Sequence, residues 1–198
     1  VCMAHHLHTA VGIAVQAARD SVKVVHDAAV HRGAVNREQD AFGHRHDQTV
    51  ALIDDAHAVG GDVALQFGIT AENCPKHPSF CRPEWLANDF ARGEMYFIAY
   101  EAEEPIACVA TEYPSPEIAY LNRLAVLPAH RTKGVGTSLV KFVLERARAL
   151  GTKTVSIGVI GEHAALQEWY RGFGFVSGET KHFPHLPFSV KYMAHALT

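Results

Sequence analysis

Polar and apolar positions change period along the chain, and the changes mark out its elements. Met95–Tyr100 and Ile106–Thr111 are short apolar runs separated by the acidic turn Glu101–Pro105, which is the signature of a β-hairpin. Ala119–Val126 reads as a third strand after the Pro114–Pro116 break. The period then switches to that of a helix over Thr137–Leu150. Leu139, Val140, Val143, Leu144, Ala147 and Leu150 share one face, Lys141, Glu145 and Arg148 face away, and Gly151 supplies the stop. Thr154–Ile160 is a buried strand, His163–Arg171 a short helix, and Phe173–Val176 and Phe188–Met193 closing strands. Strand, strand, strand, helix, strand, helix, strand, strand is the order of a mixed α/β layer.

The first part of the chain has another texture. Residues 1–70 are rich in Ala, Val, His and Asp and contain no proline, which favours helices, although Gly12–Ala18 fits a short first strand. From Ser21 the positions Val24, Val25, Ala28 and Ala29 share one helical face, and Asp62–Phe67 looks like part of another helix. A loop with three prolines and two cysteines, Asn73–Pro83, follows, and Pro83 at an N1 position leads into a helix over Glu84–Phe90.

Composition narrows the class. The 198 residues suit one domain, and 48% apolar against 20% charged residues is ordinary globular usage with a substantial core. Eighteen Lys and Arg against 21 Asp and Glu leave a formal charge of −3, without the basic excess that nucleic-acid binding draws on. No apolar run approaches the ~18 residues of a membrane span, and Val1–Ala10 has no basic segment followed by an apolar one, so no membrane partner and a cytoplasmic location are expected. Four cysteines are too few for a disulfide scaffold, and reduced thiols are expected.

Chemistry concentrates in Val126–Leu139, a glycine-containing loop between a strand end and a helix start. The first turn of a helix carries unpaired N–H groups and the positive end of the dipole, so a bare backbone there can wrap a phosphate. Arg131 and Lys133 add positive charge. A P-loop would need a lysine directly before Thr137, and a dinucleotide fingerprint would need a small residue where Leu139 stands. Both fail. Arg131-x-x-Gly134-x-Gly136, preceded by Leu124–Pro128, resembles the Arg/Gln-x-x-Gly-x-Gly/Ala pyrophosphate loop of the GNAT N-acetyltransferase superfamily. Downstream, Leu166–Phe175 with Tyr170, Gly174 and Phe175 resembles that family's segment of a tyrosine followed, after three residues, by glycine and phenylalanine.

The resemblance covers roughly Glu84–Lys191. It implies a GNAT fold: a mixed, mostly antiparallel sheet flanked by helices and splayed where acetyl-CoA, the cosubstrate, lies. Residues 84–198 would be the acetyl-CoA-binding core, and residues 1–83 a helix-rich N-terminal part of the same domain with a loop on the acceptor side. Leu124, Ala125 and Val126 would pair with the pantetheine arm. Arg131, Thr132, Lys133, Gly134, Val135, Gly136 and Thr137 would hold the pyrophosphate. His163 stands where relatives often carry an asparagine that touches the cofactor. Tyr170 would be the general acid for the leaving thiolate. Many relatives have a glutamate as base where this chain has Asn122, so Glu112 is the carboxylate candidate by sequence, and Tyr120 and Asn122 would line the acceptor pocket.

These readings predict an N-acetyltransferase acting on a small-molecule, amino-acid or peptide amine by direct attack in a ternary complex, with homodimer formation open. A non-catalytic acyl-CoA-binding or sensing module on the same fold is the alternative. Cys74-x-x-His77-x-x-x-Cys81 has metal-ligand spacing, but structural zinc sites usually pair two such knuckles and only one is visible, so a proline-fixed loop without metal is expected.

Overall fold

The computed structural model describes the backbone of Val22–Val25 and residues 63–75, 77, 80, 82–102 and 104–198. Its elements are β1 (Val22–Val25), α1 (Pro83–Ala91), β2 (Met95–Glu101), β3 (Glu104–Ser115), β4 (Ile118–Val126), α2 (Val135–Ala149), β5 (Thr154–Ile160), α3 (Ala164–Arg171), β6 (Val176–His182) and β7 (Ser189–Ala196). The strands form one seven-stranded sheet in the order β1-β2-β3-β4-β5-β7-β6. Every neighbouring pair is antiparallel except β4 and β5, which run parallel through the crossover helix α2.

The two faces of the sheet bury different sets of side chains, because successive residues of a strand point to opposite sides. On one face α2 lays Leu139, Val140, Val143, Leu144 and Ala147 against Phe97, Val109, Leu121, Val155 and Ile157, and α3 adds Tyr170. Each large apolar side chain withdrawn from water there contributes roughly 1.5–3 kcal/mol. On the other face α1 places Leu86 and Phe90 over Tyr96, Ile98, Tyr100, Cys108 and Ala110. Pro83 starts α1 without a side-chain cap, and Arg92 closes it.

Three sequence expectations are corrected. Val22–Val25 is a strand paired with β2 rather than a helical face, which suits three valines among four residues beside an aromatic strand. Leu150 caps the C-terminus of α2 and is exposed instead of joining its apolar face. The closing strand expected over Phe173–Val176 starts only at Val176, because Phe173, Gly174 and Phe175 bond back to α3 as a tight turn. Residues 63–66 are helical, as expected over Asp62–Phe67, while Gly12–Ala18 lies outside the described residues. No helix among the described residues is long and apolar enough to cross a membrane.

Candidate active site

The parallel ladder between β4 and β5 has three pairs: Ile118 with Thr154, Ala119 with Val155 and Tyr120 with Ser156. Beyond them the strands part. Among the described residues, Leu121–Val126 continue along β3 only, and Ile157–Ile160 along β7 only. Two strand edges therefore face each other across an opening, and peptide groups on such edges need partners. A β-bulge sharpens the divergence. Cys108 pairs with Ala125 but Ala110 with Asn122, so β4 carries one extra residue there, and Arg123 has a left-handed φ of 53°. Bulges of this kind bend a strand and re-aim its groups.

The loop after β4 leads to the start of α2 at the same end of the opening. A single 3-10 turn, Pro128–His130, is followed by Thr132 at φ 61° and Gly134 at φ 86°, the N-cap of α2. No side chain caps this helix and no acidic residue sits in its first turn. The N–H groups of Val135, Gly136 and Thr137 thus have no acceptor within the helix, which makes them an anion-binding end. Arg131 is half-buried and its Nε donates to the Val126 carbonyl at 3.2 Å, strapping the loop to the end of β4. Lys133 is exposed. A side chain at Gly136 would point at Trp169 and Val126, both 3.6 Å from its Cβ. Leu124 and Val126 pack towards α2, and Ala125 towards α1.

Tyr170 is buried on α3, its ring edge-on to Trp169 at 4.8 Å and to Phe175 at 5.4 Å. Burial alone pushes its phenol well above the ordinary tyrosine value, so the hydroxyl remains a proton donor throughout the working pH range. His163 is the N-cap of α3. Its Nδ1 accepts from the Leu166 N–H at 3.3 Å, and its ring packs on Phe67 at 5.3 Å. Its capping atom is therefore used within the fold.

On the α1 face, Tyr120 is exposed, while Asn122 is half-buried with its amide donating to Glu94 Oε1 at 2.9 Å. Glu112 sits opposite Tyr120 on β3. Beside them is a buried charged cluster that nothing in the sequence pattern announced. Asp89 of α1 accepts from Arg92 at 2.7 Å, from the Tyr96 hydroxyl at 2.7 Å and from Arg123 at 2.9 Å. The Arg123 contact anchors the bulge residue of β4 to α1. Glu94 lies 3.5 Å from Arg92, and burial pushes its carboxyl above the ordinary value, with the neighbouring Asp89 and Glu112 acting in the same direction and Asn122 and Arg123 opposing.

Farther along, residues 63–75 pack on the end of β5 and on the connection from β6 to β7 through Ala64, Ile69, Cys74, Ile160 and Phe188. A cavity of about 790 Å³ opens between the two loops, with Glu72, Asn73, His77 and His185 as its polar lining. Burial lowers the His77 pKa and raises that of the Cys74 thiol. Cys81 lies outside the described residues, and among the described residues no three His, Cys, Asp or Glu side chains converge as a metal site requires.

The sequence profile described as the Acetyltransferase (GNAT) family matches residues 65–175, more than half of the chain. No curated protein sequence matches. Among solved structures, a GNAT family acetyltransferase from Elizabethkingia anophelis with acetyl-CoA bound is 15% identical, with 90% of this chain and 99% of that one covered and a TM-score of 0.54. The ribosomal-protein-S18-alanine N-acetyltransferase from Escherichia coli is 18% identical over 60% of this chain and 78% of its own, with a TM-score of 0.54. Ard1 from Thermoplasma volcanium is 16% identical over 60% and 82%, with a TM-score of 0.53. Likeness at such identities is likeness of fold, and it agrees with the profile match. The chain belongs to the GNAT acetyltransferase family.

Proposed function

We propose that this protein transfers an acetyl group from acetyl-CoA to a primary amine of a small molecule, an amino acid or a peptide N-terminus. The observation that carries the reading is the opening between β4 and β5 with the uncapped start of α2 at its mouth. One part offers a strand edge for an extended amide-bearing arm, and the other an anion site for a pyrophosphate. Acetyl-CoA supplies an acetyl group already activated as a thioester.

Leu124, Ala125 and Val126 present their peptide groups to the pantetheine arm, and the N–H groups of Val135, Gly136 and Thr137 take the pyrophosphate. Lys133, exposed beside them, adds charge, and Thr132 and Gly134 supply the left-handed backbone that turns the chain into the helix. Arg131 holds this loop against β4 as well as adding charge. The amine approaches from the α1 face past Tyr120 and Asn122. Tyr170 hands its hydroxyl proton to the departing thiolate as the N–C bond forms and the C–S bond breaks. Holding both reactants in line is the main source of acceleration, since well-oriented groups gain about 7–11 kcal/mol over free collision.

The test is purified protein with acetyl-CoA and pooled polyamines, amino acids and N-terminal peptides, read by free-thiol release and by the mass of acetylated product. Turnover of any amine supports the proposal. Calorimetric binding of acetyl-CoA without turnover of any of these acceptors would favour a non-catalytic acyl-CoA-binding module, and absence of binding would overturn both.

A further inference from the structure

Asn122 cannot accept a proton, yet an amine that is an ammonium ion in solution must lose one before it attacks a thioester. The fold brings a carboxylate to that amide from two strands away. Tyr96 and Asn122 are both register partners of Ala110, whose side chain is a single methyl group, and Glu94 reaches across it from the start of β2 to place Oε1 2.9 Å from Asn122 Nδ2. Asn122 is the second residue beyond the last pair that joins β4 to β5, so this carboxylate stands at the throat of the opening.

Two buried carboxylates occupy the cluster, and their partners tell them apart. Asp89 is held by three donors at 2.7–2.9 Å and is committed to anchoring Arg92, Tyr96 and Arg123. Glu94 accepts one hydrogen bond, from Asn122, and meets Arg92 at the longer distance of 3.5 Å. Its side chain is 2% exposed, whereas Asn122, on the way to the opening, is half-buried. Charged and titratable groups face it from every packed element: Asp89 and Arg92 from α1 and its end, Tyr96 from its own strand, Glu112 from β3 and Arg123 from β4. Burial raises its affinity for a proton, as a base working near neutral pH requires.

We propose that Glu94 is the proton acceptor for the incoming ammonium, with Asn122 holding its carboxylate at the throat of the cleft. This rests on the acetyl-transfer reading above and takes the base from Glu112 to Glu94. In the step, R–NH3+ gives one proton to the Glu94 carboxylate across one water molecule. The products are a neutral amine and a neutral carboxyl group, and that carboxyl returns its proton to solvent after the acetylated product leaves.

The experiment compares wild type, Glu94→Gln, Glu112→Gln and Glu94→Gln/Asn122→Glu from pH 6 to pH 10 with an amine that the wild type acetylates, alongside calorimetric acetyl-CoA affinity. Gln keeps the shape and the oxygen that accepts from Asn122. Glu94→Gln is expected to lower kcat/KM about 100-fold at pH 7, within the range for a general base. The deficit should close as the pH approaches the pKa of the amine, with acetyl-CoA affinity unchanged, and the double variant, which moves the carboxylate onto β4, should recover activity. Glu112→Gln, which acts on Glu94 through its charge alone, should lose less than Glu94→Gln. A deficit of equal size at every pH, a wild-type rate in Glu94→Gln, or a larger loss in Glu112→Gln overturns the assignment. Should Glu94→Gln fail to fold by circular dichroism, Glu94→Asp takes its place: a lower kcat at unchanged KM for acetyl-CoA supports the role, and an unchanged kcat overturns it. A wild type that binds acetyl-CoA but acetylates no amine refutes the enzymatic reading itself, and is seen before any variant is made.

Discussion

Gly134 and Gly136 flank one residue at the start of α2, and replacing each by alanine separates backbone conformation from space. At Gly134 a Cβ would meet nothing within 4 Å, so the whole effect of the substitution comes from φ 86°. Holding an L-residue in the left-handed region costs about 1–2 kcal/mol. Loss of freedom in the unfolded chain returns about 0.4–1 kcal/mol. The net destabilisation is about 0.5–1 kcal/mol if the loop keeps its shape. If the loop relaxes instead, the N–H groups of Val135–Thr137 turn away from their common target and acetyl-CoA binding weakens. Gly136 is helical, its Cβ would meet Trp169 and Val126 at an ordinary 3.6 Å, and alanine is favoured over glycine in helices by up to about 1 kcal/mol. The two variants should therefore differ by about 1.5–2 kcal/mol, or roughly 3–8 °C in Tm for a chain of this size. Thermal unfolding by circular dichroism and acetyl-CoA titration calorimetry measure both quantities. Gly134→Ala melting at or above Gly136→Ala, with equal acetyl-CoA affinity, would refute the reasoning.

Three further outcomes are expected. Tyr170→Phe keeps the ring contacts with Trp169 and Phe175, so acetyl-CoA affinity should hold while kcat falls by roughly 10²–10⁴, as for loss of a general acid; an unchanged kcat, with chemistry shown to be rate-limiting, would make Tyr170 a packing residue. Asp89→Ala leaves the Tyr96 hydroxyl and the Arg123 guanidinium without their common acceptor and should cost about 3 kcal/mol in denaturant unfolding, the low end for a broken buried pair because Arg92 is half exposed; a loss under 1 kcal/mol would mean that the bulge holds without its anchor. Glu94 has its carboxyl raised above 4.5, so its contribution to stability is full below that pH and is lost as pH rises through the folded-state value. Glu94→Gln should accordingly melt above wild type at pH 8, with the gap closing towards pH 4, and a gap that widens on acidification would contradict the raised pKa.

Local pattern revealed most of the core of this fold, because α2 and the hairpin strands announce themselves through spacing that does not depend on distant partners. The apolar face of α2 and the strand at Thr154–Ile160 follow from periodicity alone, and the candidate anion site follows from where the glycines fall between strand and helix. Val22–Val25 misled because a four-residue edge strand is too short to show a period, and only its pairing with Phe97 and Ile98 makes it one. The Glu94–Asn122 contact joins residues 28 apart through the register of three strands. In sequence Glu94 is simply an acid beside Gly93 at the head of an apolar run, the commonest place for a solvated charge. Its burial depends on α1 folding over it and on Ala110 being small, and neither condition has a local signature.

The outer strand of the sheet bears on how the molecule avoids sticking to its own kind. Among the described residues β6 pairs with β7 alone and is exposed along its full length, and an outer edge of this kind presents a row of peptide groups of the sort that templates edge-to-edge aggregation. The chain blunts it in two ways. Its register with β7 breaks between Ser177 and Thr180, interrupting the straight run that an incoming strand would copy, and Glu179 and Lys181 place an ion pair at 3.4 Å on the same stretch. An added strand would have to strip water from both charges while following a kinked edge. The opening between β4 and β5 also bares strand edges, but they face one another across a cleft, so their adhesive backbone is turned inward and away from a neighbouring sheet.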